Sequence, residues 1–433
     1  MSTALERVLN ASQGSLSPAW QEHTHEISRQ RSLVEHQLAQ PNAKPVYGFN
    51  TLFGQLDAAG VTTLDQKYMV ENHCIGPVSQ LSPRDAKVVT ACKIEQLNSS
   101  FTGISVTTYS GLLDSIQREI PALTGSWWAS YGSGDVAPGS WWAHNLLELG
   151  FLHELHAGDA MALMNGSFYG AATALSTLLD LRDQLTNALS NVIAAGNFDP
   201  RISTLGGEVK AALAGLPDNG HDWFSSPPQL PVAIRDIGPQ VFFAVTAWGR
   251  ALSAIEDSLT KPSGNPLFFH EDSDSQSIEA ISNSSFLNLD LAAALDGIAR
   301  LVRLLCVNQQ RILDWLSKQA EATLAPREAV PFVQPPKVAL ALHLSSAGAS
   351  GSSPVPYLAE SDGVEDVADL TVVTSKQIRS MAESLAAITD LTDETLNQAL
   401  TISQSDSSAF EARKSQAQQL ASGIFSMSPQ QAS

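Results

Sequence analysis

The chain has 433 residues, 43% of them hydrophobic and 16% charged, which is enough to bury a large core. A formal net charge of −19 sets the surface against phosphate backbones and argues against nucleic acid as a partner. Cys74, Cys92 and Cys306 are odd in number, widely spaced and without a C-x-x-C pair, so reduced thiols in a cytoplasmic protein are expected and no metal site.

The first ten residues carry Glu6 and Arg7 and no apolar run, so no signal peptide is expected, and no stretch reaches membrane length. Helical signals follow in order. Ser17-Pro18 opens a helix over 18–38, and Ser82-Pro83 opens another over 83–100, each a cap residue followed by proline in the first turn. Further helices are predicted over 64–75, 105–118, 141–155, 159–195, 239–260 and 375–390.

The clearest helix runs from about Leu289 to Lys318. There Leu291, Leu295, Ile298, Val302, Leu305, Gln309, Ile312 and Leu316 alternate steps of four and three and mark one packed seam. Leu301 and Leu304 add apolar surface outside the seam, which favours a multi-helix bundle over an isolated coiled coil. Strand-like alternation is sparse. The expected fold is therefore all-α, an elongated multi-helix bundle with one loop-rich end. It is read as a single unit over 1–433, with parts at 1–200, 239–320 and 321–433. Two stretches, about 198–238 and 343–363, are rich in Gly, Pro or Ser and are expected as linkers or active-site covers.

One pentapeptide recurs. Gly125-Ser126-Trp127-Trp128-Ala129 returns as Gly139-Ser140-Trp141-Trp142-Ala143 and brackets Tyr131-Gly132-Ser133-Gly134-Asp135, so half of the eight tryptophans flank one Gly-rich turn. The bland reading is core packing around a tight turn. The sharper one is a dry wall around a reactive group. There is no P-loop, Rossmann fingerprint, G-x-S-x-G or H-E-x-x-H. The pairs His23/His25 and His153/His156 read better as exposed helix residues than as metal ligands.

Other motifs carry a resemblance. Tyr47-Gly48-Phe49-Asn50-Thr51-Leu52-Phe53-Gly54 is similar to Y-G-V-N-T-G-F-G, and Asn72-His73-Cys74-Ile75-Gly76 to S-H-A-x-G. Gly132 to Pro138 is similar to A-S-G-D-L-A-P, and Met161 to Ser167 to L-A-L-L-N-G-T. Arg235 with Pro239-Gln240, Gly264-Asn265-Pro266-Leu267 with Phe286, and Val364-Glu365-Asp366-Val367 complete the series in order. Together they resemble the histidine/phenylalanine ammonia-lyase and aminomutase family over about residues 44–380.

That resemblance implies a histidine ammonia-lyase-like fold, a homotetramer with shared active sites, and a carbon–nitrogen lyase acting on an amino acid. It also implies a self-formed methylidene-imidazolone from Gly132, Ser133 and Gly134. Tyr47 is then the base, Arg235 holds the substrate carboxylate, and Asn165 bonds the cofactor or the substrate amine. Gln240 and Phe286 line the substrate, while His73 and Glu365 suit a polar or imidazole-like ring. A histidine-like or another polar substrate, in specialised biosynthesis, is the first expectation that the resemblance implies. A 2,3-aminomutase, a repurposed cofactor-less enzyme and a non-catalytic relative are the alternatives.

The chain departs from the family at three places. The segment before Gly134 is one residue short, so Ser130 competes with Ser133 in a second register; the first is preferred because it keeps Gly-Asp-x-Ala-Pro next to a cyclisable serine. Val232 stands where the family has a tyrosine, and N-F-H-G reads Ser285-Phe286-Leu287-Asn288.

Overall fold

The computed structural model describes residues 2–52, 60, 63–217, 229–270, 277–349, 367–403 and 407–427. In chain order the elements begin with α1 (Ala4–Ser12), α2 (Pro18–Glu22), α3 (Thr24–Leu38), α4 (Thr63–Asn72), β1 (Ser79–Leu81), α5 (Pro83–Ser99), α6 (Val106–Gln117), β2 (Leu123–Gly125) and α7 (Val136–Glu148). Next come α8 (Asp159–Met164), α9 (Phe168–Ala195), α10 (Gly207–Ala214), α11 (Val232–Arg235), α12 (Gly238–Thr260), β3 (Leu267–His270) and β4 (Ile278–Ile281). The series ends with α13 (Leu289–Thr323), α14 (Pro326–Val333), α15 (Pro335–Ala349), α16 (Thr371–Ser403) and α17 (Ser407–Ile424). The all-α expectation holds: strands form only two short antiparallel pairs, β1–β2 and β3–β4, among the described residues.

The chain divides into two compact units. The first comprises Met1–Ser176, Ala254–Ala293 and Val355–Ser375; the second comprises Thr177–Ser253, Ala294–Pro354 and Lys376–Ser433. The boundary falls inside α9, α12, α13 and α16.

In the first unit α1 packs on α5. Glu95 of α5 receives Arg7 Nη2 at 2.9 Å and the indole N–H of Trp20 at 2.8 Å, so this buried carboxylate is paired on two sides. The first turn of α1 donates its Ala4 and Leu5 N–H groups to Glu256, at 2.9 and 2.7 Å, which supplies a negative charge where the helix dipole favours one.

In the second unit the seam residues of α13 from Leu295 to Leu316 are buried, as the periodicity predicts. Gln309 is the polar member. Its Oε1 accepts from Asn191 Nδ2 at 3.2 Å and its Nε2 donates to Thr389 Oγ1 at 3.1 Å, so the seam carries no cost of an unpaired amide there. Arg413 closes the C-terminal end of α9 by donating to the carbonyls of Ile193, Ala194 and Gly196.

Several predicted boundaries move for physical reasons. The helix expected over 18–38 is split at His23 into α2 and α3. The one expected over 159–195 breaks between Met164 and Phe168, because Gly166 takes φ +135° where a Cβ would lie 2.1 Å from the Gln96 amide. That over 141–155 instead starts at Val136 and stops at Glu148, where Gly150 at φ +72° donates back to Leu147 O. Residues 343–349, expected as irregular, continue α15; 350–366 lie outside the described residues.

Candidate active site

The Tyr47 loop is tied by its own side chains. Asn50 Oδ1 accepts the Val46 N–H at 2.7 Å, and Val46 O accepts the N–H of Phe49 at 3.0 Å. Gly48 sits at φ +73° with Met161 against it, so that a Cβ would come within 2.1 Å of Met161 Cγ. Gln66 links this loop to the start of α8: its Nε2 donates to Gly48 O at 3.4 Å, and its Oε1 accepts the N–H groups of Gly158 and Ala160 at 3.1 Å. Phe49 is buried edge-on to Phe268, with centroids 5.1 Å apart. Tyr47 is left half-buried at the rim of this packing.

The Gly132–Asp135 turn is buried throughout, and three of its four residues have positive φ: Gly132 at +79°, Gly134 at +74° and Asp135 at +51°. A non-glycine residue in that region is uncommon and costs of order 1 kcal/mol or more, so surrounding contacts must hold it. Ser130 Oγ donates to Asp135 Oδ1 and accepts the Gly132 N–H at 2.9 Å. The Asp369 N–H donates to Gly132 O at 2.8 Å, and the Gly166 N–H to Gly134 O at 3.2 Å. Burial first, and then the nearby Asp369 carboxylate, push the Asp135 carboxyl well above the usual carboxylate range; the Ser130 and Gly170 hydrogen bonds oppose this.

Asn165 lies at the break between α8 and α9. Its Nδ2 would be 2.5 Å from a Cβ placed on Gly134, so only glycine fits opposite it. Beneath it Lys93 is fully buried. Its Nζ donates to Ala162 O at 2.8 Å, Asn165 O at 3.0 Å and Gln96 Oε1 at 3.2 Å, and stands 3.8 Å from the Phe168 ring centroid. The ammonium thus takes over carbonyls that the broken helix releases. Burial pushes it well below lysine's usual range.

Asn165, Thr102, Phe49, Met161, Gly264 and Pro266 are among the walls of a cavity of about 10 Å³. Asn165 Oδ1 and Thr102 Oγ1 are both buried there without a hydrogen-bond partner among the described residues. Two such atoms on one small cavity are the mark of a polar group or a water to be bound.

The structure therefore brings together the Tyr47 loop, Asn165 and Gly134 within the first unit. His73 follows α4, half-buried, with Nδ1 2.7 Å from Met69 O. Phe286 is half-buried in the turn before α13. Arg235 and Gln240 belong to the second unit. Arg235 is exposed at the end of α11 and donates through Nε to Leu230 O at 2.9 Å. The Gln240 amide, oriented to satisfy its neighbours, donates to Ile237 O and Asp236 O, which engages it in the turn before α12. Val232 is exposed. Glu365 lies outside the described residues. The two Gly-Ser-Trp-Trp-Ala copies fold differently: the first leaves β2 into a turn, the second lies inside α7. Trp127 and Trp142 are buried, with Trp142 Nε1 bonded to Thr90 Oγ1 at 3.0 Å.

Lys93, Gln66 and Asp369 were not marked by the sequence reading. A lysine between Val88-Val89-Thr90-Ala91-Cys92 and Ile94, inside a helix, is the one signal for the first. Asp369 ends a Ser-, Gly- and Pro-rich stretch and gives none.

Residues 4–153 match the family model for aromatic amino acid lyase. Over these residues the chain carries the signature of an aromatic amino acid lyase domain. The chain is 27% identical over 298 residues to a histidine ammonia-lyase from Burkholderia lata, a match covering 59% of this chain and 58% of that one. A histidine ammonia-lyase from Burkholderia ambifaria matches at 26% over the same shares. The match thus spans little more than half the length of these curated relatives. Among solved structures, the ergothionase of Treponema denticola superposes with a TM-score of 0.72 at 16% identity, covering 97% of this chain and 98% of that one. A phenylalanine aminomutase from Pantoea agglomerans gives 0.71 at 15%, covering 93% and 89%. The histidine ammonia-lyase of Trypanosoma cruzi gives 0.70 at 16%, covering 92% and 83%. At these identities the likeness is one of fold.

Proposed function

We propose that this protein is a carbon–nitrogen lyase of the aromatic amino acid lyase family that eliminates ammonia from an α-amino acid, using a methylidene-imidazolone formed from its own Gly132, Ser133 and Gly134. The observation that carries this reading is the buried Ser133 between two left-handed glycines, with Gly134 pressed on an Asn165 whose Oδ1 has no partner among the described residues. The residues present fit such a group. The turn is tight, the residue after the serine has to be glycine, and an unpartnered amide oxygen stands beside it.

The group would supply an electrophile for the substrate amine. Asn165 then offers its amide to the group or to the amine. Tyr47, half-buried at the edge of the loop, is placed in the role of base toward the β-proton. Arg235 presents an exposed guanidinium suited to a carboxylate. His73 and Glu365 are assigned to a polar or imidazole-like side chain, with Phe286 as an apolar contact. Gln240 is assigned a substrate contact only if it exchanges its bonds to Ile237 and Asp236.

Intact mass of the full chain tests the reading. A mass two waters below that of the unmodified sequence is expected, and an unmodified mass overturns it. A panel of amino acids, assayed for both the deaminated acid and the β-amino isomer, then separates elimination from 2,3-migration.

A homotetramer is part of the same proposal. Val338, Leu340 and Leu344 leave apolar side chains exposed on α15, a surface suited to burial between copies. Light scattering at micromolar concentration should report four chains, and a strict monomer would contradict the assembly.

A further inference from the structure

We propose that Asp369 and Gly132 are a matched pair that drives the self-processing of this chain, a reading that rests on the cofactor assignment above. The backbone of 368–369 lies directly on Gly132. A Cβ there would stand 1.9 Å from Asp369 O and 3.0 Å from the Ala368 Cβ, and Gly132 itself is at φ +79°. From this position the Asp369 N–H donates to Gly132 O at 2.8 Å.

The N–H is held by the side chain of the same residue. Asp369 Oδ1 accepts the Thr371 N–H at 3.0 Å, and Oδ2 accepts the Asn288 N–H at 2.9 Å. Asn288 is in turn fixed by Ser258 Oγ at 2.7 Å and by Ser167 O at 2.9 Å. The carboxylate thus anchors the start of α16 and the turn before α13, and the donor it carries cannot drift from the Gly132 carbonyl.

Ring closure makes use of that donor. The Gly134 nitrogen attacks the Gly132 carbonyl carbon, forming the new C–N bond while the C=O electron pair moves onto oxygen. That oxygen leaves as the first water, taking one proton from the Gly134 nitrogen and one from the Ser133 nitrogen, as a C=N bond forms between Gly132 C and Ser133 N. Ser133 then loses its Oγ hydroxyl and its Cα proton as the second water, leaving the methylidene. No oxidant or reductant is needed. Negative charge develops on Gly132 O in the first step, where the Asp369 N–H already stands, so its stabilisation requires no reorganisation.

The pair also explains Gly132. The motif that the chain resembles has alanine at this position, and the methyl is inert in the chemistry. Here the methyl would collide with the Asp369 carbonyl and displace the N–H that activates the ring closure.

The experiment follows the intact mass of full-length chain after cell-free synthesis. In the wild type, mass falls by two waters. Gly132→Ala, although it restores the residue of the resembled motif, should process at least about tenfold more slowly, and Asp369→Ala, which keeps the N–H but releases its anchor, between about tenfold and 10²-fold, the upper figure being that of one lost oxyanion donor. Asp369→Asn keeps an acceptor for Thr371 and should fall between the wild type and Asp369→Ala. Circular dichroism identifies any variant that fails to fold; should Asp369→Ala be one, Gly132→Ala, which removes no polar group, still decides. Processing of Gly132→Ala at or above the wild-type rate overturns the pair, as does equal processing of a folded Asp369→Ala. A wild-type chain that keeps both waters overturns the cofactor reading itself, and is told apart because it needs no variant.

Discussion

The seam residues of α13 from Leu295 to Leu316 leave water by packing, and the polar one among them, Gln309, is satisfied by Asn191 and Thr389. The Gly132–Asp135 turn is buried as deeply but is held by polar means: a serine, two carboxylates, backbone donors from distant segments, and backbone angles that only glycine adopts freely. The seam is held by burial of its apolar side chains. The turn keeps left-handed backbone, including a non-glycine residue, in a buried place, and strain of that kind clusters at functional sites.

The largest expected effect sharpens this contrast on the chemical side. Tyr47→Phe removes one hydroxyl from the loop beside the turn and should lower turnover by about 10²–10⁴-fold, while the melting temperature stays close to that of the wild type. Steady-state kinetics and a thermal scan measure both, and unchanged turnover removes Tyr47 from the role of base. Leu305→Ala reverses the pattern. It should cost about 2–5 kcal/mol of unfolding free energy, read by denaturant titration, while the folded fraction still loses its two waters. A loss of processing out of proportion to unfolding would break the separation between the two regions.

The smallest effect concerns pH. The Asp135 carboxyl is raised in the folded chain from an ordinary 3.8 to about 7. The folded state therefore binds a proton that the unfolded state has released, so this contribution to stability is full below the ordinary value and is lost as pH rises through the folded one. Between about pH 4 and pH 7 stability should decline in the wild type, and Asp135→Asn should flatten that slope. An identical slope in the variant would assign the decline to other groups.

The helices were legible in the sequence because packing and periodicity agree there. Leu291 to Leu316 announce their seam in steps of three and four, and Ser82 caps α5 as its sequence suggests, accepting the Asp85 N–H at 3.1 Å. The break at Asn165–Ser167 was hidden, because its causes lie elsewhere in the chain: the Gln96 amide that excludes a side chain at Gly166, and the Lys93 ammonium that takes up the freed carbonyls. The repeated pentapeptide shows the same limit from the other direction. One set of five residues leaves a strand in one copy and lies inside a helix in the other, and the glycine meets different neighbours in each: Trp127 and Trp141 at Gly125, Met164 O at Gly139. At the candidate site, motif order singled out Tyr47, Ser133 and Asn165, and the fold sets Asn165 against Gly134. Asp369 was not, since its part depends on a hydrogen bond to a residue far away in sequence.

Lys93 has a consequence for how the protein could be watched at work. The sealed Lys93 side chain is out of reach of acylating reagents while the packing under Asn165 is shut, and comes within their reach when that packing opens. The chain thus carries its own chemical clock for local opening: the rate at which Lys93 takes up a label, compared with exposed Lys67, counts how often the packing under Asn165 comes apart.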